Sequence, residues 1–146
     1  MTSIAISFGM ITSEAAAKLP GALHSVRCAQ PCDRLVGQFK VRPANIRLLS
    51  DADGETLRMR RSRWTTTRAM GSGTSVVSSM GGTTTRIPVR VKLFRPRSGR
   101  FTRLTVTFKT SGAARVVRHV LGTSFDSPAW VPTHICGRQD LDAECP

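Results

Sequence analysis

The pattern that decides the fold lies in residues 86–109, which read RIPVRVKLFRPRSGRFTRLTVTFK. Apolar and polar side chains alternate on both sides of a turn-forming RPRSG segment, and a period of two is typical of a strand with one buried face. The two halves therefore predict a β-hairpin with one apolar and one cationic face. We expect the cationic residues of the two arms to share a face and the others to lie at the tip: Arg90, Lys92, Arg103 and Lys109 on the face, and Arg95, Arg97 and Arg100 at the tip.

The segment after this hairpin predicts a helix that packs on the sheet. Its apolar residues follow the i, i+3, i+4, i+7 and i+8 spacing of a helix stripe, and they are Ala113, Val116, Val117, Val120 and Leu121. Ser111 is a suitable N-cap and Gly122 a suitable C′ residue, while Arg115, Arg118 and His119 fall outside the apolar stripe, on the solvated side. Residues 86–122 are thus expected to form a ββα unit.

The N-terminal segment, residues 1–64, is expected to be β-rich. Alternating apolar residues predict strands at Ser3–Ile11 and Leu35–Val41. A hairpin is predicted from Ile46–Leu49 and Thr56–Arg60, because the DADG sequence between them suits a tight turn.

Two further segments lack such patterns. Residues 65–85 contain 15 Thr, Ser or Gly residues, which predicts a flexible loop or linker. Residues 123–146 contain several Pro and acidic residues, and an irregular acidic tail is expected there. With a short helix from Glu14 to Lys18, the whole sequence predicts a β-rich α+β fold: a small sheet, a C-terminal ββα unit and one or two short helices.

The charge distribution favours nucleic acid as a partner. The chain has 22 Lys and Arg against 9 Asp and Glu, a net charge of +13, and no acidic residue lies between Glu55 and Asp126. A block of one sign repels itself unless a polyanion neutralises it. The excess of Arg over Lys suits bidentate phosphate contacts, and it equally suits a GC-rich coding bias. There are two alternatives: a basic surface that contacts only solvent, and one that contacts an anionic membrane surface.

A second basic cluster surrounds a tryptophan. Its members are Arg58, Arg60, Arg61, Arg63, Trp64 and Arg68. The indole of Trp64 could stack on an unpaired base, although a lone Trp more often anchors a core or an interface. This cluster and the basic hairpin together form the predicted nucleic-acid site. A two-stranded ribbon can also enter a DNA major groove, so DNA and RNA both remain open.

The other reactive residues predict neither catalysis nor a cofactor. Cys28, Cys32, Cys136 and Cys145 lack the CxxC spacing of a zinc ribbon, so free thiols are expected, with disulfides or a zinc site shared with histidines as alternatives. The 3 His and 9 carboxylates offer no recognisable catalytic pair. No stretch is long and apolar enough to span a membrane, and the N-terminus lacks the basic region of a secretory signal, so an intracellular location is expected.

The N-terminal residues resemble the beginning of bacterial Ku proteins. The resemblance rests on Ile6-Ser7-Phe8-Gly9, Lys18-Leu19, Cys32, Arg34 and Leu35. It spans at most residues 3–45, and the CxxC pair of many such proteins is absent at Pro43-Ala44-Asn45. This resemblance implies a dimeric β-barrel ring that surrounds broken DNA ends.

The sequence therefore predicts a non-enzymatic nucleic-acid-binding protein that contacts the phosphate backbone of DNA or RNA. One rival is a structural assembly protein, such as a small viral coat or a ribosome-associated subunit. In that role the same charge neutralises RNA, and the chain forms a homo-oligomer or a ribonucleoprotein. Another rival is a fortuitous reading frame with little evolved function, which would suit the absence of Tyr and the excess of Arg.

Overall fold

The computed structural model describes residues 18–48, 54–79, 81–110, 115–124 and 127–136, and this part of the chain is all β. Its strands are β1 (Ala22–Ala29), β2 (Arg34–Lys40), β3 (Asn45–Arg47), β4 (Glu55–Trp64), β5 (Arg68–Ser78), β6 (Thr84–Arg97), β7 (Arg100–Phe108), β8 (Arg115–Ser124) and β9 (Ser127–Cys136). Strands β1 and β2 form a hairpin of their own, and β3 to β9 form one seven-stranded antiparallel sheet in chain order. This sheet curls into a half-barrel.

The predicted basic hairpin is confirmed as β6 and β7. Val91 pairs with Val106 and Leu93 with Leu104, and all four side chains are buried. The hairpin predicted on the two sides of the DADG sequence is also confirmed, since β3 pairs with β4 and Ile46 lies opposite Leu57. The period-two pattern thus located these strands and their buried faces correctly.

The β1–β2 hairpin covers the inner face of the curled sheet near one end. The indole Nε1 of Trp64 donates a 2.7 Å hydrogen bond to the Pro20 carbonyl, and that of Trp130 donates a 2.9 Å bond to the Leu23 carbonyl. Gly21 exchanges backbone hydrogen bonds with the end of the β6–β7 hairpin. Buried apolar side chains of both sheets therefore form one core.

The predicted helix after the basic hairpin is wrong, and with it the α+β fold class and the ββα unit. Residues 115–124 form β8, which pairs with β7 on one side and β9 on the other. The physical reason is that Val117, His119 and Leu121 also alternate with Arg118 and Val120, a pattern that favours a strand when two partner strands are available. Residues 111–114 lie outside the described residues, and of the predicted helix from Glu14 to Lys18 only Lys18 is described, which is not helical.

The predicted linker at 65–85 is instead dominated by a long central strand, β5, which pairs with both β4 and β6. Its glycines are needed for packing. A Cβ atom at Gly73 would collide with the backbone carbonyl oxygen of Arg58, and one at Gly71 would lie 2.6 Å from the methyl carbon of Met59. The small residues that resemble a linker in composition therefore let β4 and β5 approach closely.

The tail also contains regular structure. Residues 127–136 form β9, and the buried side chain of Trp130 anchors that strand to the β1–β2 hairpin. The expectation of an irregular segment from residue 123 is therefore wrong over β9. Residues 137–146 and the predicted strand at 3–11 lie outside the described part.

The expectation of free thiols is wrong for two of the four cysteines. Cys28 and Cys32 form a disulfide across the turn that joins β1 to β2. The side chain of Cys136 and the whole of Cys145 lie outside the described part. Within that part, no group of three or more His, Cys, Asp or Glu residues is placed to hold a metal ion. The described residues likewise contain no helix capable of crossing a membrane.

Candidate nucleic-acid interface

The face of the seven-stranded sheet that points away from the core carries most of the described basic residues of β4 to β8. In β6, the buried side chains of Val89, Val91 and Leu93 alternate with the exposed side chains of Arg90 and Lys92. Directly paired residues in neighbouring antiparallel strands lie on the same face. The registers therefore extend this face across the sheet, and we call it the outer face.

Three rows of paired residues cross the outer face from β4 or β5 to β8. Each row places cations next to neutral side chains of the intervening strands. The rows are Arg61, Ser72, Arg90, Thr107 and Val116; Arg63, Met70, Lys92, Thr105 and Arg118; and Arg68, Phe94, Arg103 and Val120.

The spacing of these cations follows from sheet geometry. In the middle row, Arg63, Lys92 and Arg118 lie on alternate strands, and a separation of two strands is about 10 Å. Along β6, Arg90 and Lys92 are two residues apart, which is about 7 Å. Thr, Ser and Met lie between them, so like charges do not directly face one another. The result is a lattice of separated cations rather than a single crowded cluster.

A β-bulge in β4 decides which arginines reach the outer face. Met59 pairs with Gly73 but Arg61 pairs with Ser72, so Arg60 is the extra residue. Strict alternation after Arg58 would have placed Arg60 on the outer face and Arg61 on the inner face. The bulge instead brings Arg61 to the same side as Arg58 and leaves the exposed Arg60 without a partner of its own.

The acidic residue nearest to this basic block in sequence, Glu55, lies on the other side of the sheet. It starts β4, and its side chain has the same orientation as that of buried Leu57. Its Oε2 atom accepts a 2.7 Å hydrogen bond from the Oγ of Ser75, which is itself buried. Among the described residues, the three rows of the outer face contain no carboxylate. The electrostatic potential along these three rows is therefore positive throughout.

An aromatic side chain lies within this field. Phe94 is half-buried on the outer face, with the Lys92 ammonium 5.0 Å from its ring centroid. Together with Arg95, Arg103 and Arg118 it lines an open depression of about 610 Å³. Met70, which is 49% exposed, lies in the neighbouring row. The depression thus combines a flat apolar ring with three guanidinium groups.

Some of the predicted site residues do not belong to this surface. Trp64 is only 6% exposed, and its ring makes an edge contact with Phe101 at 5.6 Å, so it has no free ring face for a base. The guanidinium carbon of Arg100 lies 4.0 Å from the Phe39 ring centroid, where it joins the tip of the basic hairpin to β2. Arg97 is exposed at that tip, and Lys109 follows the end of β7.

Seven of the other predicted residues share the outer face, Arg60 lies at the bulge and Arg95 at the depression, and Phe94 and Arg118 join them. The outer face collects Arg58, Arg61, Arg63, Arg68, Arg90, Lys92 and Arg103. Sequence reasoning missed Arg118, because it assigned that residue to the side of a helix. It also missed Phe94, although the alternation that puts Arg90 and Lys92 on one face continues to that residue.

Comparisons with known protein families, curated proteins and solved structures find no match for this chain. The resemblance of the N-terminal residues to Ku proteins gains no support from them. The charge, shape and chemistry of the outer face are therefore what indicates a function for this protein.

Proposed function

We propose that the protein binds nucleic acid through the outer face of its seven-stranded sheet, without catalysis. The observation that carries this proposal is the lattice of separated cations on three rows that contain no carboxylate. Guanidinium groups donate parallel hydrogen bonds to phosphate oxygens, and a sheet holds them at fixed spacing. A polyanion on this face would also relieve the repulsion among the cations.

The depression around Phe94 favours single-stranded nucleic acid as the ligand. In a duplex the bases are paired and stacked, whereas in a single strand they can turn toward an aromatic ring. The partly exposed ring of Phe94 offers such a platform, and its paired neighbours Arg68 on β5 and Arg103 on β7 lie on its two sides for contact with the phosphates. Phe94 takes the stacking role that the sequence suggested for Trp64.

The proposal is tested by measuring affinity for labelled single-stranded DNA, single-stranded RNA and duplex DNA across a salt series. A triple variant, Arg90→Gln, Lys92→Gln and Arg118→Gln, removes three cations from the outer face. A matched control, Arg27→Gln, Arg34→Gln and Lys40→Gln, removes three exposed cations from the β1–β2 hairpin. Both variants have the same net charge, so they differ only in where the charge was lost.

We expect the outer-face variant to bind single strands more weakly and to lower the slope of log K against log salt by about 2, since each phosphate contact contributes about 0.7. The control variant should keep most of the slope. Equal losses in the two variants would mean that the binding is a nonspecific effect of net charge, and the outer face would no longer be the site. The oligomeric state in the same buffers shows whether binding accompanies assembly.

A further inference from the structure

The half-barrel has a cavity at the end opposite the β6–β7 turn. This second end is formed where β3, β5 and β7 finish and where β4, β6 and β8 begin. The cavity has a volume of about 290 Å³. Its wall is mainly apolar and includes Leu48, Val77, Ile87, Phe108 and Val117. Most of its wall lies on the inner side of the sheet, and His119 also borders the depression around Phe94 on the outer face.

Two charged side chains border the cavity, and both have partners elsewhere. The carboxylate of Glu55 accepts the hydrogen bond from Ser75 described above. The guanidinium carbon of Arg115 lies 5.5 Å from the centroid of the Phe108 ring. Neither charged group therefore needs a ligand in the cavity as its partner.

His119 is different, because it is buried with one ring nitrogen unpaired. The residue is 7% exposed and lies on the inner side of β8 beside Val117. Its Nδ1 atom has no hydrogen-bond partner among the described residues. Buried polar atoms are almost always paired, so the hydrogen-bonding partner of an unpaired atom at a cavity wall is supplied by what fills the cavity, a water or a ligand.

The protonation state of this ring defines what the ligand must supply. Burial lowers the pKa of His119 to about 4, despite a hydrogen bond to the backbone of Leu104 that raises it. The imidazole is therefore neutral near pH 7. A neutral imidazole carries one proton, and the tautomer with that proton on Nε2 leaves a lone pair on Nδ1. The free Nδ1 lone pair thus accepts a hydrogen bond and cannot donate one.

We propose that this cavity binds a small apolar ring compound that carries one hydroxyl group, with the hydroxyl donating to Nδ1 of His119. The apolar body would pack against Leu48, Ile87 and Phe108, and the hydroxyl would donate a hydrogen bond to the buried Nδ1 atom of His119. The volume is at the lower end of the range for ligand pockets, about 300–1,000 Å³, so one or two fused rings fit. This site does not depend on the proposed nucleic-acid function.

A matched pair of probes tests the hydrogen bond directly. 2-Naphthol has a hydroxyl donor, whereas 2-methoxynaphthalene has the same ring system and an oxygen that cannot donate. We expect saturable binding of 2-naphthol at one site per chain and at least tenfold weaker binding of the methoxy compound. Binding of 2-naphthol should also shift the ¹⁵N resonance of the His119 Nδ1 atom. Equal affinities, or no saturable binding of either probe, would overturn the proposal.

Variants of the wall and of the histidine complete the test. Ile87→Trp fills the cavity and should abolish binding of both probes, while His119→Phe should remove the advantage of 2-naphthol over its ether. His24→Gln, a half-buried histidine on β1, is the control and should bind as the wild type does. If His119→Phe does not fold, the probe pair and the ¹⁵N shift on wild-type protein still test the proposed hydrogen bond to Nδ1. Oligonucleotide affinity, measured on the same samples, reports separately on the outer face.

Discussion

His119 makes the stability of this fold depend on pH in a way that can be calculated. Its pKa is lowered from 6.5 to about 4 by burial in the folded protein. As pH falls below the unfolded value, the unfolded chain binds a proton before the folded chain does. The stability is therefore fully present above about pH 6.5, falls as the pH drops toward about 4, and changes no further below that.

The size of this effect follows from the difference between the two pKa values. Each unit corresponds to about 1.4 kcal/mol, so the complete shift corresponds to about 3 kcal/mol. Acidification from about pH 7 to about pH 4.5 should remove about 2–3 kcal/mol of that amount. For a domain of ordinary marginal stability, this is a large fraction of the free energy of unfolding.

Urea unfolding of the wild type and of His119→Phe at the two pH values measures the effect. Carboxylates and the overall positive charge affect both proteins alike, so they cancel in the difference between them. We expect the wild type to lose about 2–3 kcal/mol more than the variant. Equal losses in the wild type and His119→Phe would refute the argument. An NMR titration of the His119 ring gives the folded pKa independently.

Other residues give shorter tests. Gly73→Ala should lower the free energy of unfolding by about 3 kcal/mol, because its Cβ meets a backbone carbonyl, whereas Gly81→Ala should change it little, since the nearest atom is 4.0 Å away. Urea titration checks both. Phe94→Leu should lower affinity for single strands about tenfold and leave duplex affinity unchanged, as measured by fluorescence anisotropy. Arg100→Gln should lower stability by about 0.5–1 kcal/mol through loss of its contact with Phe39, and should leave the salt dependence of binding unchanged.

The alternation of apolar and polar residues was sufficient to predict β6 and β7, because both strands have one buried and one exposed face. It failed at β8, where Val116, Val117 and Val120 fit a helix stripe as well as a strand. Only pairing with β7 and β9 distinguishes the two, and that pairing involves residues distant in sequence. Composition also gave a wrong prediction at β5, where a linker was expected. The glycines that allow close strand packing are the same residues that make linkers flexible.

The residues of the candidate site likewise divide into those that periodicity places correctly and those that it does not. Arg90, Lys92 and Arg103 could be placed on one face from their spacing alone. The positions of Arg61 and Trp64 could not, because a single extra residue in β4 reverses the alternation after it. A bulge depends on the fit between two strands and leaves no clear periodic signal in either.

The order of the strands has a consequence for the synthesis of the chain. Each strand of the seven-stranded sheet pairs with its neighbours in sequence, so the sheet can grow one hairpin at a time as the chain emerges from the ribosome. The β1–β2 hairpin emerges first, yet the bond between Leu23 and Trp130 joins residues 107 positions apart. Its contacts with Trp64 and with the β6–β7 hairpin can form earlier, but its docking is complete only after β9 has been made. Until β9 is made, the apolar surface of the growing sheet stays open on one side, and this nascent stage is the point at which the protein is most exposed to aggregation or to capture by a chaperone.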